Sequence, residues 1–580
     1  MRKSTPQKSR REAAFCADAS GSVAIIFGLA VIPVMLMLAG TSDYMRYAMV
    51  RSNLQQATDA AALRVVSKLT SETTLDTAKA QALATLTAPP RMATASITAA
   101  SFSADKKSFC LDVKVDAQTP FMAMLKGAAI APTARACATQ AGGSDPNTTF
   151  EIALVLDNSG SMNGAAGGKS KMEALRDAAT SFVGTMHTKS KNVKFAIAPF
   201  AAGVVAVDPT VNGNRNAAWV DNTGVNSQHW IAFGGKTAAT TAGFNSRFDI
   251  YTKLKAINSS WDWGGCFEQP AYPKNVNDVT PTPTDSETLF VPYLAPDEPD
   301  SGYTNSYLDD DGGAGGGKKD KKDKKKGGGG GGGGAACSDT ASGDWANLTH
   351  VCKYNATSSP GGSGPNNHCP NAGTQTVMTL TPTKTDATNK LSALVAGGNT
   401  NLHEGFMWGW RAISPNLPFA SGRPYNAPKN RKIVVFMTDG YNYWRSDPGT
   451  ITGSTYQAAG YYSYGGTKND RFPDGSKGNG VNYQTALNAA SGSSTDYHDK
   501  SREMQDELTL EACTNAKAAG IEIFTIGFST LSDPIDQQGL DLMKACATNT
   551  DHYFAAKDAS QLQLAFDTIG TGLGKLRLSQ

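Results

Sequence analysis

Short, continuously apolar segments limit the folds that this chain can adopt. Ile152–Leu156 is apolar throughout, as in a strand buried on both faces of a parallel sheet. Similar runs occur at Val193–Phe200, Arg431–Gly440 and Ile521–Phe528, with helical patterns among them. Strands that alternate with helices predict an α/β fold, with an open, mostly parallel sheet and helices on both faces.

Hard oxygen donors follow two of these strands. Asp157, Ser159 and Ser161 are alternate residues after the first strand, and Asp439 ends a later one. Such folds bind ligands outside the carboxyl ends of their strands, so we expect these side chains to meet. Thr400, at the start of a helix, offers a fifth oxygen. A set without sulfur or imidazole favours Mg²⁺, or Ca²⁺ or Mn²⁺, over zinc and copper.

Each part of this pattern has an ordinary alternative. Asp-x-Ser-x-Ser is often only a turn and a helix N-cap, and Thr438–Gly440 is a common turn sequence. The order of the parts and their strand context together favour a metal site. Two carboxylates would leave the cation electrophilic, with a place for an acidic ligand from outside. We expect Asp439 to be a surface ligand that contributes little to core packing.

The motifs resemble those of von Willebrand factor type A domains. D-N-S-G-S at Asp157–Ser161 is similar to their D-x-S-x-S motif, G-G-N-T-N around Thr400 to their Thr loop, and T-D-G at Thr438–Gly440 to their Asp loop. The resemblance covers residues 150–577. It implies a Rossmann-like domain with a metal-ion-dependent adhesion site at all five positions.

Other functional classes have less support. His403 and Glu404 are a tempting acid–base pair, but a first helical turn explains them, with Glu404 favoured by the helix dipole. The sequence shows no nucleophile–base pair, nucleotide loop or HExxH motif, so we predict no enzymatic activity. Lys and Arg total 54 and Asp and Glu 51, a balance that argues against a nucleic-acid-coating protein.

The N-terminal segment predicts a transmembrane anchor at residues 21–41. Gly21–Gly40 carries no charge over about 20 residues, enough to cross ~30 Å of hydrocarbon. A cleaved signal peptide is the alternative, but the run exceeds the usual h-region and no A-x-A-like site follows. Basic residues are more frequent before the span than after it. This bias puts residues 1–20 in the cytoplasm and the bulk outside.

Residues 42–70 have helical periodicity, and we expect a stalk helix there. G-S-V-A-I-I-F-G-L-A-V-I-P from Gly21 and L-Q-Q-A-T-D-A-A-A-L from Leu54 resemble the N-terminal segment of TadG-like proteins of the Flp (Tad) pilus-assembly family. This resemblance covers residues 21–67. It implies a single-pass protein of the bacterial inner membrane with its bulk in the periplasm. Related pilin-like proteins have a processing Glu where this chain has Ile26, which favours a permanent anchor.

The remaining sequence predicts a spacer and two insertions. Residues 71–145 read as a small, strand-rich α+β spacer. The first insertion, 205–383, lacks the sheet pattern and includes a flexible Gly/Lys linker at 312–334. The second, 441–499, is rich in aromatic residues and Gly. We predict that it forms a contact surface around the metal face, with local packing on the sheet as the alternative.

Cysteine usage fits an oxidising compartment. The chain has nine cysteines, and all but Cys16 follow the predicted anchor. We expect at least two disulfides. Cys110 and Cys137 could staple the spacer, and cysteines around the Gly/Lys linker could pin its flanks. Cys513 and Cys546 are expected to lie close together, because their helices flank one strand.

Two functions share this site chemistry. The TadG resemblance and the anchor favour an envelope protein of Flp pilus assembly or anchoring. It would bind an acidic side chain of a protein partner at the metal, with other pilus-assembly components as candidates. A surface adhesin for an external matrix or host ligand is the alternative.

Overall fold

The computed structural model divides the chain into a first unit, residues 1–144 and 572–580, and a second unit, residues 145–571. The residues that it describes are 20–67, 73–86, 95–103, 108–115, 131–139, 148–300, 302–310, 344–357, 359, 361–447, 449–461, 494–573 and 577–578. The predicted tail before residue 20 and the Gly/Lys linker at 312–334 lie outside the described residues.

The strands are β1 (Ser96–Phe102), β2 (Ser108–Lys114), β3 (Thr133–Thr139), β4 (Thr149–Asp157), β5 (Val193–Phe200), β6 (Met378–Thr381), β7 (Asn430–Thr438), β8 (Glu522–Phe528), β9 (Tyr553–Ala556) and β10 (Arg577–Leu578). The helices are α1 (Ser20–Ser67), α2 (Leu75–Leu86), α3 (Lys171–Lys189), α4 (Asn212–Arg215), α5 (Lys236–Thr241), α6 (Arg247–Ile257), α7 (Asp344–Thr349), α8 (Ala372–Gln375), α9 (Lys384–Ser392), α10 (Leu402–Ile413), α11 (Ser494–Ala518), α12 (Gln537–Cys546) and α13 (Ala559–Gly572).

The first unit packs the long helix α1 against an antiparallel sheet in the order β1-β2-β3-β10. The buried positions of α1, which include Leu54, Ala61 and Val65, recur at helical spacing and join a core with α2 and the strands. Cys110 and Cys137 are paired across β2 and β3 and form a disulfide. Helix α1 covers the residues predicted as a stalk helix as far as Ser67, and the predicted staple is confirmed.

The N-terminal part of α1 exposes large apolar side chains, including Phe27, Met37 and Leu38. Within the described part of the chain, no helix meets the length and hydropathy needed to cross a membrane. The anchor predicted at 21–41 is therefore not confirmed, and several of its side chains lie outside that part.

The second unit is built on a sheet in the order β6-β5-β4-β7-β8-β9, parallel except for the edge strand β6. The four apolar runs read from the sequence form β5, β4, β7 and β8 at its centre, which confirms the parallel-rich α/β prediction. Leu156 of β4 lies opposite Met437 of β7. The polar residues that follow these two strands therefore emerge side by side.

Helices cover both faces of this sheet. On one face, Phe182 of α3 contacts Phe195 of β5 and Phe566 of α13. On the other face lies α10, all of whose residues are buried. A Cβ at Gly409 of α10 would lie 2.1 Å from Val155 Cγ2 of β4. Glycine there lets the helix backbone approach the strand closely.

The two insertions form one structure, the insertion lobe, which we define as the described residues of 205–377 and 441–461. Their main chains are hydrogen-bonded to each other, as from Gln269 N to Ala458 O (2.9 Å) and from Thr304 N to Gly449 O (2.8 Å). Most of the buried aromatic residues of the lobe belong to one core with α10 and the sheet, among them Trp219, Trp230, Tyr251, Trp263, Phe267, Phe290, Tyr307, Tyr354, Trp444 and Tyr461.

The structure of the lobe contradicts two predictions made from the sequence. Strand β6 lies inside the predicted insertion 205–383 and belongs to the sheet, so that boundary was wrong. The strand was missed because its four residues, MTLT, are too short to show a pattern. In the second insertion, Trp444 and Tyr461 are buried in the shared core rather than exposed. For these two residues the predicted contact surface was wrong, and local packing is correct.

Two disulfides cross-link parts of the second unit. Cys266 and Cys369 join two distant parts of the insertion lobe, and Cys513 of α11 is bonded to Cys546 of α12. Both pairs are consistent with the expectations from the sequence. The prediction of at least two disulfides is therefore confirmed.

Candidate functional site

The loop after β4 brings its alternate polar side chains together at the carboxyl edge of the sheet. Ser159 N donates to Asp157 Oδ1 over 2.8 Å, which fixes the turn. The hydroxyls of Ser159 and Ser161 lie 3.0 Å apart, and Ser161 Oγ donates to Asp439 Oδ1 over 2.7 Å. Thr438 Oγ1 donates to Asp157 Oδ2 over 2.6 Å. The structure thus joins the ends of β4 and β7, as the sequence predicted.

Thr400 reaches the same place through main-chain hydrogen bonds between loops. Gly160 N donates to Gly398 O over 2.8 Å, and Tyr443 N donates to Thr400 O over 2.8 Å. A Cβ at Gly440 would lie 3.8 Å from Thr400 Oγ1 and 4.0 Å from Ser161 Oγ. The two hydroxyls therefore border one point beside Gly440, and all five predicted side chains surround this edge.

Burial gives the site an unusual electrostatic character. Burial and, after it, the neighbouring Asp439 carboxylate raise the pKa of Asp157 to about 7, against the hydrogen bonds from Ser159 and Thr438. Burial also raises the pKa of Asp439, while the Lys171 ammonium opposes this change. A cation placed between these two carboxyl groups would favour their ionised forms, so the site is suited to cation binding.

Lys171 is a member of this site that the sequence analysis missed. Its fully buried ammonium lies 2.8 Å from Asp439 Oδ2 and 2.7 Å from Asp533 Oδ2. Asp439 is itself buried and holds this ion pair, so the expectation that it is merely a surface ligand was wrong. Its carboxylate helps to stabilise the start of α3 as well as facing the loop after β4.

The residues at this edge fit a hard divalent cation. The candidate donors are two carboxylates and three hydroxyls, the oxygen ligands that Mg²⁺ and Ca²⁺ prefer. In the described part of the chain, no group of three or more His, Cys, Asp and Glu side chains is placed to hold a metal ion, either at this edge or elsewhere. A metal ion here would depend on hydroxyl oxygens and water or a partner's carboxylate to complete its coordination.

His403 and Glu404 have structural contacts. Trp408 Nε1 donates to Glu404 Oε1 over 2.8 Å, and the Gln269 amide lies 2.8 Å from His403 Nδ1. Burial and, to a smaller extent, the Arg411 guanidinium lower the pKa of His403 to about 3. The contact between Gln269 and His403 connects α10 to the insertion lobe.

Comparison with protein families gives one match. Residues 21–68 match the family described as Flp pilus-assembly TadE/G-like (Tad). These residues form a TadE/G-like segment. The match confirms the resemblance seen at Gly21–Pro33 and Leu54–Leu63. No curated protein matches the chain.

Several similar solved structures are of bacterial pilus proteins. The pilus adhesin SpaC from Lactobacillus rhamnosus GG is 12% identical with a TM-score of 0.29, and the match covers 83% of this chain and 34% of SpaC. The von Willebrand factor domain of the type V pilus tip protein Mfa5 from Porphyromonas gingivalis is 10% identical with a TM-score of 0.29, covering 73% and 95%. The PilB minor pilin from Streptococcus sanguinis is 11% identical with a TM-score of 0.32, covering 83% and 78%. These scores are too low to support a shared mechanism.

Proposed function

We propose that the second unit is a von Willebrand factor A-type binding module with a metal-ion-dependent adhesion site. Asp157, Ser159, Ser161, Thr400 and Asp439 would hold one Mg²⁺, Ca²⁺ or Mn²⁺ ion. The observation that carries this proposal is their convergence at the carboxyl edge of the sheet, where Ser161 links the loop after β4 to Asp439. The bound ion would supply a Lewis-acid position for an acidic side chain of a protein partner.

We further propose that the protein acts in Flp pilus assembly or anchoring at the bacterial inner membrane. The TadE/G-like segment at residues 21–68 supports this role. The uncharged Gly21–Gly40 and the exposed Phe27 and Leu38 support a membrane anchor there, since a bilayer would cover such side chains. The second unit would then lie in the periplasm, where its disulfides are stable.

Calorimetry on the full chain tests the metal site. Wild-type protein should bind one Mg²⁺ or Mn²⁺ ion, and Asp157→Asn, which keeps the shape of the side chain, should lose that binding. The exposed Asp177, 63% accessible, gives the matched control Asp177→Asn, which should bind like wild type. Equal affinity in wild type and Asp157→Asn would remove the metal assignment.

Pilus counts in cells test the biological role. A deletion strain and an Asp157→Asn strain should both assemble fewer pili than wild type. Capture of pilus components by the purified protein should require Mg²⁺ and be lost with a chelator. Normal pili together with loss of attachment to one external ligand would favour a surface adhesin instead.

A further inference from the structure

Lys171 is placed to affect the proposed site without being one of its oxygen donors. It is the first residue of α3, and its main-chain N–H donates to Gly164 O over 2.8 Å. Its ammonium lies 2.8 Å from Asp439 Oδ2, 2.7 Å from Asp533 Oδ2 and 3.4 Å from the Asp533 carbonyl oxygen. A lysine has three N–H donors, so these acceptors satisfy the buried group completely.

This arrangement makes Asp439 a shared anion. Its Oδ1 accepts from Ser161 and its Oδ2 from Lys171. A metal ion held by Asp439 must share the carboxylate with the ammonium, and two cations at one carboxylate repel each other. Loss of every carboxylate partner of Lys171 is also unfavourable, because an unpaired buried ammonium costs a large amount of folding free energy.

Asp533 gives the ammonium a second anion. Its side chain is 50% exposed, in the segment between β8 and α12, while that of Asp439 is fully buried. The ammonium keeps this partner when a metal ion neutralises Asp439. Asp533 therefore reduces the cost of weakening the contact between Lys171 and Asp439.

We propose that Lys171 is a built-in competitor of the metal ion at Asp439, and that Asp533 moderates this competition. The inference rests on the proposed metal site and adds what sets its affinity. The five oxygens alone would bind a divalent cation more tightly than the complete site does. Lys171 is thus a positioning residue that keeps Asp439 in place without metal and lowers the affinity of the site for the metal ion.

The test is calorimetric titration of Mn²⁺ into full-length variants. Lys171→Met removes the ammonium but keeps an unbranched chain, and should bind Mn²⁺ about ten-fold more tightly than wild type. Asp533→Asn leaves Asp439 as the only carboxylate partner of Lys171, and should bind several-fold more weakly. Lys169 and Asp177 form an exposed ion pair near the start of the same helix. Lys169→Met and Asp177→Asn make the same charge changes there and should stay within about two-fold of wild type.

The outcomes separate this inference from the proposed function. If Asp157→Asn abolishes binding but Lys171→Met binds as wild type or more weakly, the competition is wrong and the metal site stands. If neither wild type nor Lys171→Met binds Mn²⁺, both proposals fail. If Lys171→Met does not fold, Lys171→Gln, which keeps a hydrogen-bond donor, carries the same expectation.

Discussion

The insertion lobe and the carboxyl edge of the sheet both bury a basic side chain, but in different surroundings. In the lobe, the Arg247 guanidinium is paired with Glu268 and also donates to the carbonyl oxygens of His229 and Pro292, each over 2.9 Å. At the edge, Lys171 lies between two carboxylates, one of which is half-exposed. Both basic side chains are fully buried, but of the two only Lys171 shares its anion, Asp439, with a candidate ligand site.

The contacts of Arg247 belong to a larger hydrogen-bond network in the insertion lobe, which we call the lobe network. The main-chain N–H of Arg247 donates to His229 Nε2 over 2.9 Å, and His229 Nδ1 is 2.7 Å from Asp221. Tyr456, from the second insertion, donates to Glu268 over 2.8 Å. The network therefore ties the two insertions together. A buried ion pair whose partners are all internal therefore supports structure, whereas one that shares an anion with an open edge is a candidate for binding.

The largest effect should come from breaking the lobe network. Arg247→Met leaves Glu268 buried without its cation, and should reduce the free energy of unfolding by about 3–5 kcal/mol. Thermal melting followed by circular dichroism measures this change. Lys255→Met is the control, because Lys255 is 57% exposed and pairs with Asp262 at the surface. A melting temperature for Arg247→Met close to that of the control would show that the network is not structural.

The next effect concerns the contact between α10, which shares a core with the insertion lobe, and β4, which ends at Asp157. A Cβ at Gly409 would clash with Val155, two residues before Asp157, at 2.1 Å. Gly409→Ala should therefore push α10 from β4 and cost about 1–3 kcal/mol of stability. A Cβ at Gly213, in the exposed α4, would have no other atom within 4 Å, so Gly213→Ala should be neutral. Equal melting of the two variants would mean that the helix is not held at this distance.

A third change tests the lobe through pH. Burial raises the pKa of Glu298 from 4.5 to about 7. Between these values the folded protein holds a proton that the unfolded chain releases, so the folded state loses stability as pH rises from about 4.5 to 7. Glu298→Gln lacks this loss, and should be more stable than wild type by about 2–3 kcal/mol at pH 8. The difference should vanish at pH 4.5 in paired melting curves. A difference that does not vary with pH would contradict the raised pKa.

The parts that the sequence predicted are those whose cause is local. Strand β4 is recognisable because a strand buried on both faces must be continuously apolar, and Asp157 because it ends that strand. Thr400 and Asp439 were found through short motifs at the starts or ends of elements. The disulfide of Cys513 and Cys546 followed from two helices that flank one strand.

The parts that the sequence did not predict depend on distant partners. Lys171 lies 268 residues from Asp439 and 362 from Asp533, and nothing near it in the sequence marks the contact. The insertion lobe has a core of irregularly spaced aromatic residues, so no helix or strand period reveals it. Its aromatic residues pack because α10 needs cover on the face away from the sheet, which becomes evident only once the sheet is built.

The smallest effect should come from the edge itself, and its sign distinguishes the two regions. Asp157→Asn removes one of two carboxylates that oppose each other, as the raised pKa of Asp157, about 7, indicates. Without metal, the variant should be slightly more stable than wild type at pH 8, by on the order of 1 kcal/mol, because a buried charge is lost while Ser159 N and Thr438 keep hydrogen-bond partners. With excess Mg²⁺, wild type should gain stability in proportion to its occupancy and Asp157→Asn should not. Melting curves with Mg²⁺ and with chelator measure both changes. Replacing a lobe charge lowers stability whether or not metal is present, so an Asp157→Asn variant that is destabilised equally in both conditions would place Asp157 with the structural ion pairs and leave the edge without a binding role.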